Sequence, residues 1–416
     1  MNSSVIRVAI SIAVVTGASS LTVRAANYVN LAPAVGAQCM ALAVNDSGTA
    51  VGNCSLGSAS AVAQSFVANV NGSTAQQGLS ALAPGQICTA MGVANSGTIS
   101  GQCLDENNVN FAVSWQAATP TAAPKRLSPL PSTILNPLLR PADVSTTPTA
   151  MNERGGIVGS SFSAQGRGTV VIYAATGNGT AQRVSDFGDD CVANSVNYTL
   201  INTYPSIAMN CPNSAGTLSG TIAIRGSTGY TKQTLQIPPE ASLCTVKAIN
   251  DQSQVLGTCL FPNSSTNVPK TAFWPSPTSA PQLLTLPQNA ANWAMDLNNA
   301  GKVLAARGDS SGISQSLYWD PATGSFGVRP IVPPVDAVTT LAVELADDNT
   351  VVLNSTNGDQ YATGCTWHPE RSMQCLTPIG LGKKNNLLAI SQSGGYAVGV
   401  SNDVEQNDNA VAVVLP

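Results

Sequence analysis

The sequence Cys39-Met-Ala-Leu-Ala-Val-Asn45-Asp-Ser-Gly48-Thr-Ala-Val-Gly52-Asn-Cys54 decides the fold, because versions of it recur along the whole chain. Two close copies run from Cys88 to Cys103 and from Cys244 to Cys259. Weaker copies centre on Asn152, Asn197, Asn298, Ala346 and Ser391. Successive centres lie 45 to 58 residues apart. A period of this size indicates one supersecondary unit used many times, as in a propeller, a solenoid or an array.

Each copy predicts a hairpin. In the first, Leu42 to Val44 is a short apolar strand, Asn45 to Gly48 is a tight turn, and Thr49 to Gly52 returns as a second strand. Asn and Asp suit the early positions of a type I turn, and Gly suits the left-handed position that closes it. A third strand bears an aromatic residue in six units: Phe66, Trp115, Tyr173, Trp274, Trp319 and Trp367. With a short leucine-bearing fourth strand, the unit is typical of a β-propeller blade.

The two ends of the chain predict how the ring closes. The last unit supplies only three strands, and an unassigned strand at Tyr28 to Leu31 precedes the first unit. Sharing the last blade between the termini would remove the exposed sheet edges. We therefore expect an all-β propeller of about eight four-stranded blades over residues 27–416. Seven blades is the alternative, if the irregular fourth unit from Cys191 to about Thr234 is an insertion.

Residues 1–26 predict an export signal. Arg7 supplies a positive charge, Val8 to Val15 an apolar segment, and Val23-Arg24-Ala25 a small-residue cleavage pattern. The apolar segment is too short to span a bilayer, and no later segment approaches that length. We expect a secreted or periplasmic protein without a membrane span.

The ten cysteines support export. They fall into five pairs, each within one unit: 39/54, 88/103, 191/211, 244/259 and 365/375. Metal binding is the rival interpretation, but a Cys-x(14)-Cys spacing is not typical of metal sites and the chain has one histidine. Five local disulfides in an oxidising compartment explain the pattern better.

Charged residues are few, and this limits the classes of partner. There are 18 Lys and Arg against 22 Asp and Glu, for a net charge of −4. Such a chain lacks the basic surface that binds nucleic acid. We expect a monomer whose partner is a neutral glycan or a protein.

The turn sequence, together with Ala272-Phe-Trp274 and Leu317-Tyr-Trp319, resembles the HAF-type extracellular repeats of bacteria. The resemblance is strongest at 38–55, 243–260 and 292–307. The chain departs from that pattern by lacking the histidine before the Phe-x-Trp strand and by adding paired cysteines. The resemblance implies a propeller-like exported protein and implies no active site.

Candidate catalytic residues are sparse. Gly308-Asp-Ser310-Ser-Gly312 matches the Gly-x-Ser-x-Gly pattern, and His368 follows in the order of a hydrolase triad. That motif requires a strand-to-helix turn, whereas here another blade strand follows, so a plain turn is the favoured interpretation. His368 itself is expected to be a half-exposed polar residue at a strand end. Trp293 lies outside the aromatic pattern and is expected to pack in the core, with stacking on a sugar near a propeller face as the alternative.

An acidic cluster is the remaining candidate. Asp186, Asp189 and Asp190 could offer oxygens to calcium, although their spacing is not that of a calcium-binding loop. No other cofactor is indicated. The sequence therefore favours an exported, non-catalytic binding or scaffold protein that presents one loop face to its partner. The alternative is a secreted hydrolase that uses Ser310 and His368 or an acidic loop cluster.

Overall fold

A computed structural model of the protein describes residues 28–31, 37–56, 64–72, 76–132, 140–174, 179–198, 205–262, 267–308, 314–379 and 382–415. The export signal predicted at 1–26 and the serine of the Gly-x-Ser-x-Gly motif, Ser310, lie outside these residues. No helix in the described part of the chain is long and apolar enough to cross a membrane.

The described residues form eight four-stranded antiparallel sheets, which we call blades 1 to 8. Blade 1 comprises β2 (Ala37–Val44), β3 (Thr49–Leu56), β4 (Gln64–Asn69) and β5 (Gln77–Gly78). Blade 2 comprises β6 (Cys88–Val93), β7 (Thr98–Leu104), β8 (Asn110–Gln116) and β9 (Lys125–Arg126). Blade 3 comprises β10 (Ser145–Met151), β11 (Ile157–Phe162), β12 (Gly168–Tyr173) and β13 (Gln182–Arg183). Blade 4 comprises β14 (Val192–Val196), β15 (Ile207–Pro212), β16 (Leu218–Arg225) and β17 (Tyr230–Thr234).

The second half of the chain repeats this arrangement. Blade 5 comprises β18 (Leu243–Ile249), β19 (Val255–Pro262), β20 (Asn267–Trp274) and β21 (Gln282–Leu283). Blade 6 comprises β22 (Asn292–Leu297), β23 (Val303–Gly308), β24 (Ser314–Trp319) and β25 (Val328–Pro330), with short 3₁₀ helices at Pro287–Asn289 and Pro321–Gly327. Blade 7 comprises β26 (Ala337–Leu345), β27 (Val351–Asn357), β28 (Ala362–His368) and β29 (Arg371–Cys375). Blade 8 comprises β1 (Tyr28–Asn30), β30 (Asn385–Ile390), β31 (Tyr396–Asn402) and β32 (Asp408–Val414).

Blade 8 confirms the predicted closure of the ring. Its strand order is β1-β32-β31-β30, so the N-terminal strand pairs with the last strand of the chain. Tyr28 lies opposite Val413 in this antiparallel pair. The irregular fourth unit is a complete blade, and the propeller therefore has eight blades rather than seven.

A β-bulge interrupts the first strand of every blade, and in five blades the second glycine of the repeat lies opposite it. In β18 the register shifts between Val246 and Ala248, which leaves Lys247 unpaired opposite β19. A Cβ on Gly257 would lie 2.0 Å from the Thr245 carbonyl oxygen, so a side chain there would require the backbone to move. The other three blades carry Met209, Ala305 and Leu353 at the equivalent position.

The hydrophobic core lies between neighbouring blades. One cluster combines Val51 and Val67 of blade 1 with Ile99 and Val113 of blade 2, and the other junctions are built in the same way. The third-strand aromatics fill these junctions: Trp274 and Trp319 are almost fully buried. A sheet that is covered on both faces needs apolar residues on both, which is why the third strands show little alternation.

The expectation that Trp293 packs in the core is wrong. Its side chain, on β22, is 41% exposed. Met40, Val192 and Leu341 occupy the same position of their own first strands and are also exposed. This side of the innermost strand is covered by no neighbouring sheet, so burial of an indole is not available there.

All five predicted disulfides are present in the structure. Four of them join the first hairpin of a blade: Cys39–Cys54, Cys88–Cys103, Cys191–Cys211 and Cys244–Cys259. Cys365–Cys375 joins β28 to β29 instead. Each bond is therefore local to one blade, and five of them favour an oxidising environment.

Replacing both Cys244 and Cys259 by serine should lower the free energy of unfolding without opening the ring. The bond closes a loop of 15 residues, which corresponds to about 3 kcal/mol in the chain-entropy model. Denaturant unfolding measures the loss, and peptide mapping without reduction should find the other four pairs unchanged. Any disulfide between cysteines of different blades would contradict the assigned register.

Candidate functional site

The described parts of the turns between the first and second strands of the eight blades lie side by side on one face, which we call the turn face. They begin at the repeat centres: Asn45, Ala94, Asn152, Asn197, Asn250, Asn298, Ala346 and Ser391. The fourth residue of several turns has positive φ, and glycine occupies it in five blades, for example Gly48 with φ 77°. Ser253, with φ 60°, takes this conformation without being glycine.

The first asparagine of a turn bonds to its own turn and to the next blade. The Asn45 Oδ1 accepts hydrogen bonds from the backbone N–H groups of Ser47 and Thr49, at 3.1 and 2.9 Å. Its Nδ2 donates to the Ala94 carbonyl of blade 2, at 2.9 Å. Asn45 is 2% exposed, so both halves of its amide need protein partners.

Four further asparagines repeat the bond to the next blade. The pairs, from Nδ2 to carbonyl, are Asn152 to Asn197, Asn197 to Asn250, Asn250 to Asn298 and Asn298 to Ala346, at 2.8 to 3.1 Å. Ala94, Ala346 and Ser391 have no amide and cannot donate in this way.

Where the asparagine is missing, a backbone N–H of the second or third turn residue completes the circle. The Asn95 N–H donates to Glu153 Oε2 at 2.9 Å and joins blade 2 to blade 3. The Asp347 N–H donates to the Gln392 carbonyl at 2.8 Å and joins blade 7 to blade 8. Ser393 N–H donates to Asp46 Oδ1 at 2.7 Å and closes blade 8 onto blade 1. Every one of the eight junctions on the turn face thus carries a hydrogen bond.

This ring of turns surrounds the mouth of a central cavity of about 580 Å³. Small-molecule sites span roughly 300 to 1,000 Å³, so the cavity is large enough to hold a ligand. The first strands form its wall, and the unpaired bulge residues of seven blades line it, the exception being Asn194 of blade 4. Five of them are apolar: Leu42, Met91, Met295, Val343 and Leu388.

Carboxylates are concentrated at this cavity although the chain has few charges. Glu153, Asp251 and Asp347 lie in the turns, and Asp296 and Glu344 lie deeper, in the residue after the bulge. Lys247 is the one basic residue among the described residues that line the cavity. The cavity is therefore rich in carboxyl groups, and most of them lie on blades 5, 6 and 7.

Asp296 and Glu344 connect blades within the wall. Asp296 accepts from the Leu297 and Leu345 N–H groups, both at 2.8 Å, so its carboxylate joins blade 6 to blade 7. Glu344 Oε2 accepts from the Ile390 N–H of blade 8 at 2.8 Å. Ser195 makes a similar bond to the Ile249 N–H, at 3.2 Å. The other five blades carry alanine or glycine at this position.

Several carboxyl groups of the cavity have a raised pKa. Burial, followed by the charge of Asp296, raises the pKa of Glu344 to about 8. Burial also raises the pKa of Asp296, although two backbone N–H groups oppose the shift. Burial and then the charge of Asp347 raise the pKa of Asp251 to about 6. Ionised carboxylates are thus costly in this cavity, and a cation would relieve the cost.

His368 lies away from the cavity, at the end of β28. Its Nδ1 accepts from the Glu370 N–H at 3.1 Å, which leaves Nε2 to donate to the Asp348 carbonyl at 2.9 Å. Both ring nitrogens are therefore hydrogen-bonded to backbone groups. The adjacent cavity of about 30 Å³ has room for roughly one water molecule and not for a substrate. With Ser310 outside the described residues, the triad stays a prediction.

The acidic cluster between blades 3 and 4 is bonded to cations of the protein. Lys232 Nζ lies 2.5 Å from Asp186 and 3.2 Å from Asp189, and Arg167 Nε lies 2.8 Å from Asp190. Asp189 is also near the sulfurs of Cys191 and Cys211, but these form a disulfide and are not metal ligands. Calcium binding at this cluster stays a prediction.

The carboxylates of the cavity were missed from the sequence, although the repeat contains a signal for them. When the copies are aligned, an acidic residue directly follows the turn's first position in four of eight: Asp46, Glu153, Asp251 and Asp347. Asp296 and Glu344 fall where the other units have small residues. Which side of the strand these positions face depends on the bulge, which the sequence does not reveal.

The comparisons with known proteins support the fold alone. No family model and no curated protein matches the chain, so the resemblance to HAF-type repeats is supported only as far as the propeller architecture. Among solved structures, the chain is similar to a puromycin-hydrolysing peptidase of Mycobacterium tuberculosis, with a TM-score of 0.53 and 11% identity over 87% of this chain and 58% of that one. A post-proline cleaving enzyme from Rickettsia typhi gives 0.52 and 11%, over 87% and 55%. A structure of prolyl endopeptidases gives 0.51 and 13%, over 77% and 49%. The chain therefore spans about half the length of the structures that it matches.

Asn250→Ala should destabilise the protein more than Asn213→Ala does. Both asparagines accept two N–H bonds within an Asn-x-x-(Gly/Ser) turn, but only Asn250 also donates to the next blade. Its loss removes one of the two donors of the Asn298 carbonyl, which still accepts from the Gly301 N–H, and costs about 0.5 to 1.5 kcal/mol beyond the loss at Asn213. Denaturant unfolding of the two variants measures the difference, and equal losses would contradict the role of the ring.

Stability should fall as pH rises from 5 to 8, in part through Glu344. Its pKa is raised in the folded protein, so between these values the folded state holds a proton that the unfolded state has released, and raising the pH favours unfolding. Glu344→Gln keeps an acceptor for the Ile390 N–H and removes this contribution. We expect the variant to gain stability relative to the wild type at pH 8 to 9, as measured by denaturant unfolding. Glu405→Gln, at an exposed loop, is the control and should follow the wild type.

Proposed function

We propose that the protein is an exported, non-catalytic binding or scaffold protein that holds its ligand in the cavity at the centre of the turn face. The observation that carries this proposal is a 580 Å³ cavity framed by a ring of turns with a hydrogen bond at every junction. A frame fixed in this way loses little conformational entropy on binding. The five disulfides support export.

The hydroxyl groups of the cavity support binding rather than acyl transfer. Ser195 Oγ accepts from the Ile249 N–H and Ser391 Oγ from the Tyr396 N–H, so both are used to hold backbone. The described residues that line the cavity include neither a histidine nor a free cysteine to activate a nucleophile. The hydrolase that would use Ser310 and His368 is the alternative that the experiment below also tests.

The charge of the cavity favours a protein partner over a neutral glycan. Carboxylates outnumber basic groups there, and Tyr198 is the one aromatic side chain among the described lining residues. Sugars are usually bound by stacking on aromatic rings, whereas a basic segment of a protein complements carboxylates. We propose a protein partner that inserts a basic side chain, with this chain acting as a monomer.

Arrays of neutral glycans and of short peptides, probed with the purified chain, test the proposal. We expect the purified chain to bind lysine-containing peptides. The variant Thr149→Trp places an indole in the cavity from an exposed lining position and should lose this binding. The matched variant Thr231→Trp, on the outer strand β17, should keep it. Binding that survives Thr149→Trp, or no binding to either array, would overturn the proposed site. Retention of glycans instead, lost in the same variant, would overturn the choice of partner.

Labelling by a fluorophosphonate probe of serine hydrolases tests the alternative. We expect no labelling of the wild type. Labelling at Ser310 that disappears in His368→Ala would replace the binding proposal by the hydrolase.

A further inference from the structure

The wall of the cavity combines two chemistries within three neighbouring blades. Met295, Val343 and Leu388 present apolar surface at the bulges of β22, β26 and β30. Asp296 and Glu344 are the next residues along two of the same strands. An apolar wall beside a carboxylate is complementary to a ligand group with a hydrocarbon stem and a cationic end.

We propose that the cavity binds a primary alkylammonium group, with the ammonium against Glu344 and Asp296 and the methylene stem along Met295, Val343 and Leu388. This inference rests on the proposed binding function and names the group that is bound. The alkylammonium could belong to a free aliphatic polyamine or to a lysine side chain of a protein, and the experiment separates these sources.

One carboxylate oxygen in this wall lacks a donor. Both oxygens of Asp296 and Oε2 of Glu344 already accept backbone N–H bonds. Glu344 Oε1 has no hydrogen-bond donor among the described residues, and the side chain is half-buried in the wall of the cavity. This oxygen is therefore open to an N–H group of a ligand in the cavity.

A second polar atom at the cavity is also without a partner. The Tyr198 hydroxyl is shielded from solvent and makes no hydrogen bond within the described part of the chain. Tyr198 lines the same cavity, and the Arg154 guanidinium stacks on its ring at 3.8 Å. Because this hydroxyl is shielded from the cavity and makes no contact with Glu344 or Asp296, the proposed ammonium site does not include it.

The arrangement of the acceptors favours ammonium over the other common cations. A guanidinium binds best when two parallel oxygens face its fork, but three of the four oxygens of this carboxylate pair already hold backbone N–H groups. Calcium requires six to eight converging oxygens, and apolar side chains occupy much of this wall. A single free oxygen beside an apolar surface matches the compact ammonium and flexible stem of lysine.

Binding should strengthen as pH rises from 6 to 9. The Glu344 carboxyl group interacts electrostatically with those of Asp296 and Glu153. The charge of Lys247 acts on Asp296, and Asp347 lies at the mouth of the same cavity. Because these surroundings raise the pKa of Glu344 to about 8, it gains its charge across this range. An alkylammonium keeps its own charge there, with a pKa near 10.4 for the lysine side chain. A ligand bound by its stem alone would show no such dependence.

Calorimetric titration of the purified chain tests the inference. The probes are spermine, 1,5-diaminopentane and a short lysine peptide, and their neutral counterparts are 1,5-pentanediol and the same peptide with acetylated lysine. We expect the amines to bind and the neutral counterparts to bind at least tenfold more weakly. Glu344→Gln should lower the affinity for the amines by about tenfold, which corresponds to one charge-assisted hydrogen bond. Glu405→Gln is the matched control and should bind as the wild type does. Tighter binding of the peptide than of the free amines assigns the source to a protein.

The outcomes separate this inference from the proposed function. Equal binding of amine and neutral counterpart, or amine binding that Glu344→Gln leaves unchanged, would overturn the alkylammonium assignment. If the arrays still yield a ligand that Thr149→Trp displaces, the binding function stands without it. Amine binding that persists in Thr149→Trp would instead place the amine elsewhere and overturn both. Thermal unfolding of each variant verifies that the ring is intact.

Discussion

A buried asparagine amide that must be satisfied on both sides is the constraint on which the ring depends. Its oxygen closes the turn of its own blade, and its nitrogen reaches the carbonyl of the next. Aspartate would lack the donor and serine the reach, so asparagine is the residue that makes both bonds. Where a blade lacks this asparagine, a backbone N–H one or two residues further along makes the bond, from Asn95 to Glu153 of blade 3 and from Ser393 to Asp46 of blade 1. The residues that form the turns therefore also make the hydrogen bonds between blades.

The bulge couples this ring to the cavity. It shifts the first strand so that the unpaired residue faces the centre in seven blades, while the next residue turns towards the neighbouring blade. The close approach opposite the bulge leaves no room for a side chain at Gly257. A propeller with this geometry has a repeated position for variation around its axis, and substitution there alters the cavity without altering the blade.

Much of the fold could be predicted from the sequence because each blade is specified by local signals. The Asn45-to-Gly48 turn, the paired cysteines and the third-strand aromatics each act within about fifty residues, so reading one unit correctly gives all eight. The cavity could not be predicted in the same way. Whether Glu344 points into the centre or into a junction depends on a one-residue bulge, and periodicity alone does not locate that bulge. Trp293 was misplaced for the same reason, since the exposed side of the innermost strand exists only in the assembled ring.

The carboxylates in the wall are not explained by the needs of the ring. Five blades carry alanine or glycine where Asp296 and Glu344 stand, and those blades still pack against their neighbours. Serine at position 195 makes a comparable backbone bond without a charge. Two half-buried acids on neighbouring blades repel one another, and partial loss of hydration makes each costly to ionise, as the raised pKa of Glu344 indicates. A neutral residue would stabilise the empty ring better. Acids at these two positions are therefore better explained by a cationic ligand than by the fold, since strain that the architecture does not require tends to mark functional sites.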